Sequence, residues 1–311
     1  MIYTITLNPA LDKTVSIPDF SIDTVNRIQT LRTDAGGKGI NVSKVIHSLG
    51  AVSTAAGILG GSTGQAILEA LKKLGIETFF HFIPGETRTN LKVIDPSRHT
   101  NTDINEPGPP VQLDDLEGLL STLLARVSAG DIAVISGSLP AGAPADTYFT
   151  WTRALRERGV RVILDADGEP LSRAVQASPH LMKPNIHELS ALTGRPLRTA
   201  AQAREAAVPL MEAYRIPKAV ISMGGEGALY LLEGRALYAR AVPVPVHSTV
   251  GAGDSMAAAL AVAEEAGMAL ADTIRLSMAA GAASVMESGS QAAAYDTIKR
   301  LIPLVRFEEM H

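Results

Sequence analysis

The stretch STVGAGDSM, residues 248–256, places two glycines and an alanine directly before an acid, at the predicted start of an alanine-rich helix. Glycine loses the most conformational entropy on folding, so Gly251 and Gly253 indicate a backbone that other residues do not easily follow. Amide groups at a helix start can bind an anion, and Asp254 would lie beside it. A tight turn with Asp254 stabilised by the helix dipole is the alternative. This stretch taken alone leaves both interpretations open.

A second glycine-rich stretch, AGGKGIN at 35–41, also leads into a helical pattern and carries Lys38. Three glycines and a lysine at a helix start are typical of phosphate binding, although a plain glycine-rich turn would look the same. Arg88 and Lys92 lie two residues either side of Asn90, which places all three on one face of a predicted strand. That face is either a phosphate clamp or a solvated surface.

Two isolated carboxylates follow predicted strands. Asp12, in LNPALD, could hydrogen-bond neighbouring hydroxyl groups or cap the next turn. Glu188 follows KPN and could hold water around Mg²⁺, or it could stabilise the first turn of its own helix. Each signal is weak alone, but all of them fall at strand ends.

Several familiar motifs are absent from the sequence. Lys38 is followed by Gly39 rather than Ser or Thr, which excludes a Walker A loop, and Gly251-Ala252-Gly253 does not continue as a dinucleotide fingerprint. His187-Glu188 lacks the second histidine of a zinc helix, the seven histidines are scattered, and no Gly-x-Ser-x-Gly elbow occurs. The absence of cysteine excludes disulfides and thiol nucleophiles.

Composition narrows the class of protein. The 311 residues are 46% apolar but only 4% aromatic, which favours helices packed on a parallel sheet. A net charge of −4 without a long basic run gives no indication of nucleic acid or an anionic membrane as a partner. The sequence shows neither a signal peptide nor an apolar stretch long enough to span a bilayer. We therefore predict a soluble cytoplasmic protein.

Predicted strands and helices alternate through most of the chain. Apolar runs at 53–60, 131–138, 161–167 and 218–225 predict strands, and amphipathic patterns at 39–50, 65–75 and 114–127 predict helices. This alternation is typical of a parallel sheet with helices on both faces, whose ligands bind beyond the carboxyl ends of the strands.

Two polar, β-branched segments, 13–34 and 86–104, interrupt the alternation. We predict that they form a small accessory β-sheet projecting from one main domain that spans 1–311. A pair of separate surface hairpins is the alternative. INEPGPPV (104–111) is a Pro/Gly-rich connection back to the main body.

Taken together, AGGKGINVSK and STVGAGDSM closely resemble the two signature regions of the ribokinase-like carbohydrate kinases, the PfkB family. TRTNLKV, INEPGP, SGSLP, LMKPNIHEL and ISMGGEGA resemble the same family in the same order, so the resemblance covers essentially the whole chain. LNPALD, GGKGIN and SGSLP are most similar to the 1-phosphofructokinase branch, and tagatose-6-phosphate kinase is the near neighbour.

The resemblance implies a three-layer α/β domain with a mostly parallel central sheet and a small β-sheet lid, which often forms the contact of a homodimer. It implies Asp254 as catalytic base and Gly251, Ala252 and Gly253 as an anion hole. The implied sugar-phosphate ligands are Asp12, Gly37, Lys38, Asn41, Arg88, Asn90 and Ser138, with Arg27 reaching the partner subunit's substrate in some relatives. The implied nucleotide side comprises Lys183, Asn185, Ser222, Gly224, Gly227 and Thr249, and Asn185 with Glu188 matches the element linked to Mg²⁺.

The implied activity is ATP- and Mg²⁺-dependent phosphorylation of fructose 1-phosphate to fructose 1,6-bisphosphate. Tagatose 6-phosphate or fructose 6-phosphate as substrate, and a non-catalytic sugar-phosphate sensor, are the alternatives. We expect the pKa of Asp254 to stay low beside the amides. Gly168, in DADGEP, departs from the small polar residue that relatives often carry, so the roles of Asp165 and Asp167 stay open.

Overall fold

The computed structural model describes residues 1–287, 289 and 291–310, and most of their short aliphatic runs form one ten-stranded sheet. Its strands, numbered along the chain, are β1 (Ile2–Thr6), β4 (Ser53–Gly60), β5 (Glu77–Ile83), β8 (Ile132–Ser136), β9 (Arg161–Asp165), β10 (Leu181–Met182), β11 (Lys218–Ser222), β12 (Ala228–Leu232), β13 (Arg235–Ala239) and β14 (Phe307–Glu309). Their spatial order is β14-β13-β12-β11-β10-β9-β8-β1-β4-β5.

The seven strands from β11 to β5 are parallel to one another, as the alternation predicted. Their carboxyl ends therefore meet at one edge of the sheet. The strands β12, β13 and β14 continue the sheet in antiparallel pairing, an edge that the sequence analysis did not predict. Glu233 and Gly234 make the β12–β13 turn, both with positive φ, as a tight hairpin requires.

Helices cover both faces of this sheet. They are α1 (Lys38–Ser48), α2 (Gly61–Lys73), α3 (Leu113–Arg126), α4 (Thr147–Glu157), α5 (Gly168–Ala174), α6 (Ile186–Thr193), α7 (Ala200–Tyr214), α8 (Ala252–Ala266), α9 (Leu270–Val285) and α10 (Tyr295–Leu301). Neighbouring residues of β8 pack into separate hydrophobic cores on the two faces of the sheet. Ile132 and Val134 pack with α1, α8 and α9, whereas Ala133 and Ile135 pack with α3, α4 and α7. The predicted three-layer arrangement is confirmed. In the part of the chain that is described, no helix combines the length and apolarity needed to cross a bilayer.

The remaining strands form a four-stranded sheet, called the lid below. They are β2 (Ala10–Ser16), β3 (Thr30–Gly36), β6 (Arg88–Asp95) and β7 (Thr100–Asn105), in the order β3-β2-β6-β7. β2 pairs with β6 in parallel at every position from Ala10 to Ser16, so the alternative of two separate surface hairpins is wrong. The first predicted lid segment, 13–34, is too short at both ends, since β2 starts at Ala10 and β3 ends at Gly36. In the second, 86–104, β6 starts at Arg88 and β7 ends at Asn105, one residue beyond the segment.

Candidate active site

A cavity of about 280 Å³ lies between the lid and the starts of α1 and α8. Nine residues singled out in the sequence line it: Asp12, Gly37, Lys38, Asn41, Arg88, Asn90, Lys92, Gly251 and Asp254. The two glycine-rich stretches meet here, although Asn41 and Asp254 are 213 positions apart in the chain. The location agrees with the general rule that ligands of parallel sheets bind beyond the carboxyl ends of the strands.

Asp254 lies in the first turn of α8 and is only 6% exposed. The Nδ2 atom of Asn41 donates a hydrogen bond of 2.9 Å to its Oδ2. Burial, and after it the nearby Asp165 carboxylate, together raise the pKa of Asp254 to about 6. Asn41, Lys38 and Lys183 act in the opposite direction without cancelling that rise. The expectation of a low pKa is therefore wrong, because removal from water outweighs the favourable contacts of the carboxylate.

The glycine run makes the entrance to α8. Gly251 is the N-cap with φ +84°, a left-handed conformation that an L side chain rarely adopts. Ala252 and Gly253 are the first two residues of the helix, so their amides belong to the group without an intrahelical acceptor. A Cβ on Gly253 would stand 3.3 Å from Nζ of Lys183, which places that ammonium group beside the run. The arrangement supplies amide dipoles and a cation at one point.

Lys38 and Lys183 share a buried carboxylate. Nζ of Lys183 lies 3.3 Å and Nζ of Lys38 lies 3.6 Å from Oδ1 of Asp165. Burial raises the pKa of Asp165, but the two ammonium groups outweigh it and the net pKa is below the ordinary value. Asp165 in turn raises the pKa of Lys38. Asp165 therefore holds Lys38, which lines the cavity, and Lys183, which lies outside the lining, a role that the sequence left open. Asp167 is the N-cap residue of α5.

Arg88 lies on β6 at the base of the lid. Its guanidinium donates to three main-chain carbonyl oxygens: Nη2 to Asn8 at 3.0 Å, Nη1 to Glu106 at 3.2 Å and Nε to Pro9 at 3.3 Å. A guanidinium carries five N–H donors, so these contacts fix its orientation and leave capacity for an anionic ligand. The sequence predicted the ligand contact but not this anchoring.

The inner face of the lid presents polar residues in register. Asn90 pairs across the sheet with Asp12 and with Asn105, and its Nδ2 donates to Oδ1 of Asp12 at 3.1 Å. One step further along the strands, Lys92 lies opposite Asp103, with 3.6 Å between Nζ and Oδ1. The sequence analysis missed further lining residues: Lys13, Thr14, Asp103, Asn105 and Gly289. Asp103 and Asn105 lie two positions apart in TNTDIN (100–105) and so share one face of a strand, which was a usable signal for these two.

The predicted nucleotide-side residues lie outside the lining of this cavity. Lys183 and Asn185 follow β10, Ser222 ends β11, and Gly224 and Gly227 flank the next turn. Asn185 and Ser222 form an isolated parallel bridge, so the two strand ends lie side by side. Thr249 is exposed in the segment before α8. These residues share the carboxyl edge of the sheet, next to the cavity.

Two predicted sugar-phosphate residues also lie outside the lining. Ser138 follows β8, and its Oγ lies 3.4 Å from Nδ2 of Asn8. Arg27 is exposed in the segment that joins β2 to β3, at the tip of the lid. The structure places neither residue against the cavity of its own chain.

Asn185 and Glu188 form a reciprocal capping box at the start of α6. Oδ1 of Asn185 accepts from the amides of His187 and Glu188, and Oε2 of Glu188 accepts from the Asn185 amide at 2.7 Å. Glu188 thus stabilises the first turn of its own helix, which was one of the two interpretations of this residue. Within residues 1–287, 289 and 291–310, no group of three or more His, Asp or Glu side chains forms a metal cage.

Comparison with known proteins identifies the class. The model of the pfkB family carbohydrate kinases matches residues 3–298, so this chain belongs to that family. It is 38% identical over 289 residues to 1-phosphofructokinase of Rhodobacter capsulatus (93% of this chain, 91% of the relative). It is 36% identical over 264 residues to tagatose-6-phosphate kinase of Staphylococcus epidermidis (84% of each).

Comparison with solved structures supports the same class of protein. Phosphofructokinase-2 from Escherichia coli in complex with fructose-6-phosphate superposes with a TM-score of 0.91 at 30% identity, covering 97% of this chain and 98% of the other. A tetrameric inhibited form of the same protein has a TM-score of 0.91. The chain is therefore a sugar kinase, a phosphotransferase whose family implies the use of ATP and a sugar phosphate.

Proposed function

We propose that this chain transfers the γ-phosphoryl group of ATP to fructose 1-phosphate and forms fructose 1,6-bisphosphate. The observation that carries the proposal is the convergence of buried Asp254 with Lys38 and Arg88 in one cavity of sugar-phosphate size. The name of the Rhodobacter capsulatus relative, together with the LNPALD, GGKGIN and SGSLP motifs, supports fructose 1-phosphate as the substrate.

Asp254 acts as the general base. As the sugar hydroxyl oxygen bonds to the γ-phosphorus, its proton passes to the Asp254 carboxylate and the bond from phosphorus to the β–γ bridging oxygen breaks, releasing ADP. Asn41 holds Oδ2 and so orients the carboxylate. With a pKa of about 6, the group is mostly ionised at pH 7 and is a stronger base than an ordinary aspartate.

The amides of Ala252 and Gly253 and the positive end of the α8 dipole stabilise charge on the transferring phosphoryl group. Phosphoryl transfer depends mainly on positioning and charge neutralisation, and Lys183 adds a cation beside Gly253. Lys38 and Arg88 bind the phosphate that the sugar already carries. The sugar hydroxyls are bound by Asp12 and Asn90, whose side chains already form one hydrogen-bonded pair.

The donor set near the nucleotide side fits Mg²⁺. Mg²⁺ usually keeps several waters and takes one or two carboxylates in addition to substrate phosphates. Glu188 supplies such a carboxylate, and burial raises its pKa. Oδ2 of Asp165 is buried without a hydrogen-bond partner among the described residues. We assign Mg²⁺ to Glu188 and Asn185, through water, and when bound with ATP it neutralises charge on the phosphate oxygens.

We also propose a homodimer formed through the lid. Large apolar side chains are exposed on it: Ile22 (92%), Val25 (80%), Ile28, Leu31 and Ile104. An apolar patch with open strand edges favours association, and a second copy would bring Arg27 towards its partner's cavity. Because ATP and sugar phosphates are its substrates, we place the protein in the cytoplasm.

Substituting Val25→Asp tests the dimer, with Val52→Asp as a matched control because Val52 is also exposed (61%) but lies before β4, away from the lid. Light scattering should show the Val25 variant as a monomer and the control as a dimer. A fully active wild-type monomer would contradict both the dimer and the role of Arg27 in its partner.

The substrate is tested by ADP release across a panel of sugars. We expect kcat/KM to be highest for fructose 1-phosphate, ahead of tagatose 6-phosphate and fructose 6-phosphate. If tagatose 6-phosphate is preferred, the function is that of the Staphylococcus epidermidis relative. Preference for an unphosphorylated sugar would contradict the phosphate roles of Lys38 and Arg88, and binding without turnover would favour the sensor.

The Arg88→Ala variant tests the phosphate contact itself. Loss of one charged hydrogen-bonding partner should weaken sugar-phosphate binding ~10- to 150-fold. KM for ATP should stay nearly unchanged, because Arg88 lies at the lid end of the cavity.

A further inference from the structure

The chain crosses between the main domain and the lid four times. The crossings, together called the hinge below, are residues 7–9 after β1, residue 37 between β3 and α1, residues 84–87 after β5, and residues 106–112 after β7. Any movement of the lid over the cavity must be absorbed in these four short segments. Their mutual contacts therefore decide where the lid sits.

Asn8, in the first crossing, contacts the fourth crossing directly. Its side chain is only 8% exposed, and its Nδ2 donates to the carbonyl oxygen of Pro107 at 3.3 Å and to Oγ of Ser138 at 3.4 Å. Its own carbonyl oxygen accepts from Nη2 of Arg88 at 3.0 Å. One residue thus joins the first crossing, the fourth crossing, the phosphate-binding arginine and the loop after β8.

A small void and a close backbone contact lie beside Asn8. A void of about 10 Å³ lies beneath it, lined by the first, third and fourth crossings and by Pro140. A Cβ on Gly108, in the fourth crossing, would stand 2.7 Å from Oδ1 of Asn8, so the backbone there passes close to the amide. The side-chain amide of Asn8 therefore lies directly against the backbone of the fourth crossing.

We propose that Asn8 is a positioning residue of the sugar-phosphate subsite. It acts through Arg88, which lines the cavity, and through Ser138, which lies outside the lining but which the family resemblance implies as a sugar-phosphate ligand. Its amide fixes the Ser138 hydroxyl and the Pro107 carbonyl, and its main-chain oxygen fixes the guanidinium. The inference rests on the proposed sugar-phosphate kinase activity but not on which sugar is preferred. Asn8 touches neither the transferring phosphoryl group nor Asp254 and is not a catalytic residue.

The test is Asn8→Asp, which keeps the size of the side chain but replaces its donor with an acceptor facing the Pro107 carbonyl. We expect Kd for the sugar phosphate, measured by calorimetry without ATP, to rise ~10-fold, the loss expected for about one hydrogen bond. KM for the sugar phosphate should rise by the same factor, with KM for ATP and kcat nearly unchanged. A merely structural residue would not separate the two substrates in this way.

Tyr230→Phe is the matched control. Its hydroxyl forms a buried 2.8 Å hydrogen bond with Ser277 in the main domain, far along the chain from the hinge, so this variant loses a buried contact without touching the crossings. It should lower thermal stability and leave Kd for the sugar phosphate unchanged. If the control raises Kd as much as the Asn8 variant does, stability alone explains the effect and the proposal is wrong.

A double-mutant cycle with Ser138→Ala completes the test. If Asn8 acts through Ser138, the two substitutions should raise Kd together by clearly less than the product of their separate effects. Strictly multiplicative effects, or an unchanged Kd in the Asn8 variant, would overturn the proposal. Asn8→Ser, which introduces no charge, replaces Asn8→Asp if that variant does not fold, and the same increase in Kd is expected. Measurements use whichever sugar phosphate the wild type binds, so a wrong substrate assignment and a wrong hinge assignment give different results.

Discussion

Two of the three carboxylates on helix α8 have pKa values shifted in opposite directions. Asp254, in its first turn, has a pKa raised to about 6 because it is buried with one neutral amide donor, Asn41. Glu264, near its other end, has a pKa lowered to about 2. Burial alone would raise this pKa as well, but hydrogen bonds from His180 and Lys218 outweigh it. The same helix thus holds one acid whose pKa is raised by burial and one whose pKa is lowered by its hydrogen-bond partners.

The difference follows from the two edges of the sheet. Glu264 meets the amino ends of parallel strands, where Arg161 begins β9 and Lys218 begins β11, and its Oε2 lies 2.9 Å from Nε2 of His180. These contacts connect α8 to three strands. Asp254 faces the carboxyl ends of the strands and the cavity, where the Nδ2 atom of Asn41 donates a hydrogen bond to it. A carboxylate whose pKa is raised by burial lowers the stability of the folded state, whereas a carboxylate surrounded by cations contributes stability.

The largest expected effect is on the rate. Asp254→Asn keeps the shape of the side chain and removes the base, so kcat should fall at least ~100-fold with little change in sugar affinity. Glu264→Gln, on the same helix, should keep kcat within a few fold. An ADP-release assay on both purified variants measures this. Near-wild-type turnover of the Asp254 variant would contradict the base assignment.

For the free energy of unfolding, in contrast to the rate, Glu264→Gln should be the damaging substitution and Asp254→Asn should not. Glu264→Gln leaves His180, Lys218 and Arg161 without a carboxylate partner and should lower the free energy of unfolding by about 2 kcal/mol. Asp254→Asn should raise it, by on the order of 1 kcal/mol, because a carboxylate whose folded pKa exceeds its unfolded value destabilises the folded state at neutral pH. Urea titration at pH 7 gives both numbers, and a loss of stability in the Asp254 variant would refute the contrast.

Lowering the pH should remove the contribution of Glu264 to the stability of the folded state. Its folded pKa of about 2 lies below the ordinary value of 4.5, so its stabilisation is fully present above pH 4.5 and is lost as pH falls towards 2. The stability difference between wild type and Glu264→Gln should therefore shrink over that range. A difference that stays constant between pH 5 and pH 3 would show that the ion pairs do not act through the charge of Glu264.

The smallest expected effect is a shift in the pH profile. Turnover should fall as pH drops through about 6, because protonated Asp254 cannot act as a base. Asn41→Ala removes a hydrogen bond that lowers this pKa, so the inflection should move up by roughly half a unit to one unit. Phosphate groups of the substrates also titrate near pH 6, but their ionisation would not move in this variant. An unmoved inflection would therefore assign the profile to substrate.

Much of the fold followed from local pattern. The run at 53–60 forms β4 over the same residues, and the amphipathic pattern at 114–127 forms α3 at Leu113–Arg126. Such patterns can be recognised in the sequence because the buried surface of an element determines where its apolar residues lie. The lid was also predictable as a departure from that pattern. The parallel pairing of β2 with β6 was not, since two strands so far apart in the chain leave no local signal of their register.

For the active site, the sequence by itself determined the chemical inventory: an acid after a glycine run, lysines and an arginine at strand and helix starts, and their order along the chain. Tertiary structure alone decided the electrostatic state of each group. It buried Asp254 and raised its pKa, placed Lys38 and Lys183 on Asp165, and fixed Arg88 and Asn8 at the hinge. The physical reason is that pKa values and hydrogen-bond partners depend on desolvation and on neighbours brought from distant segments, which spacing along a chain does not encode.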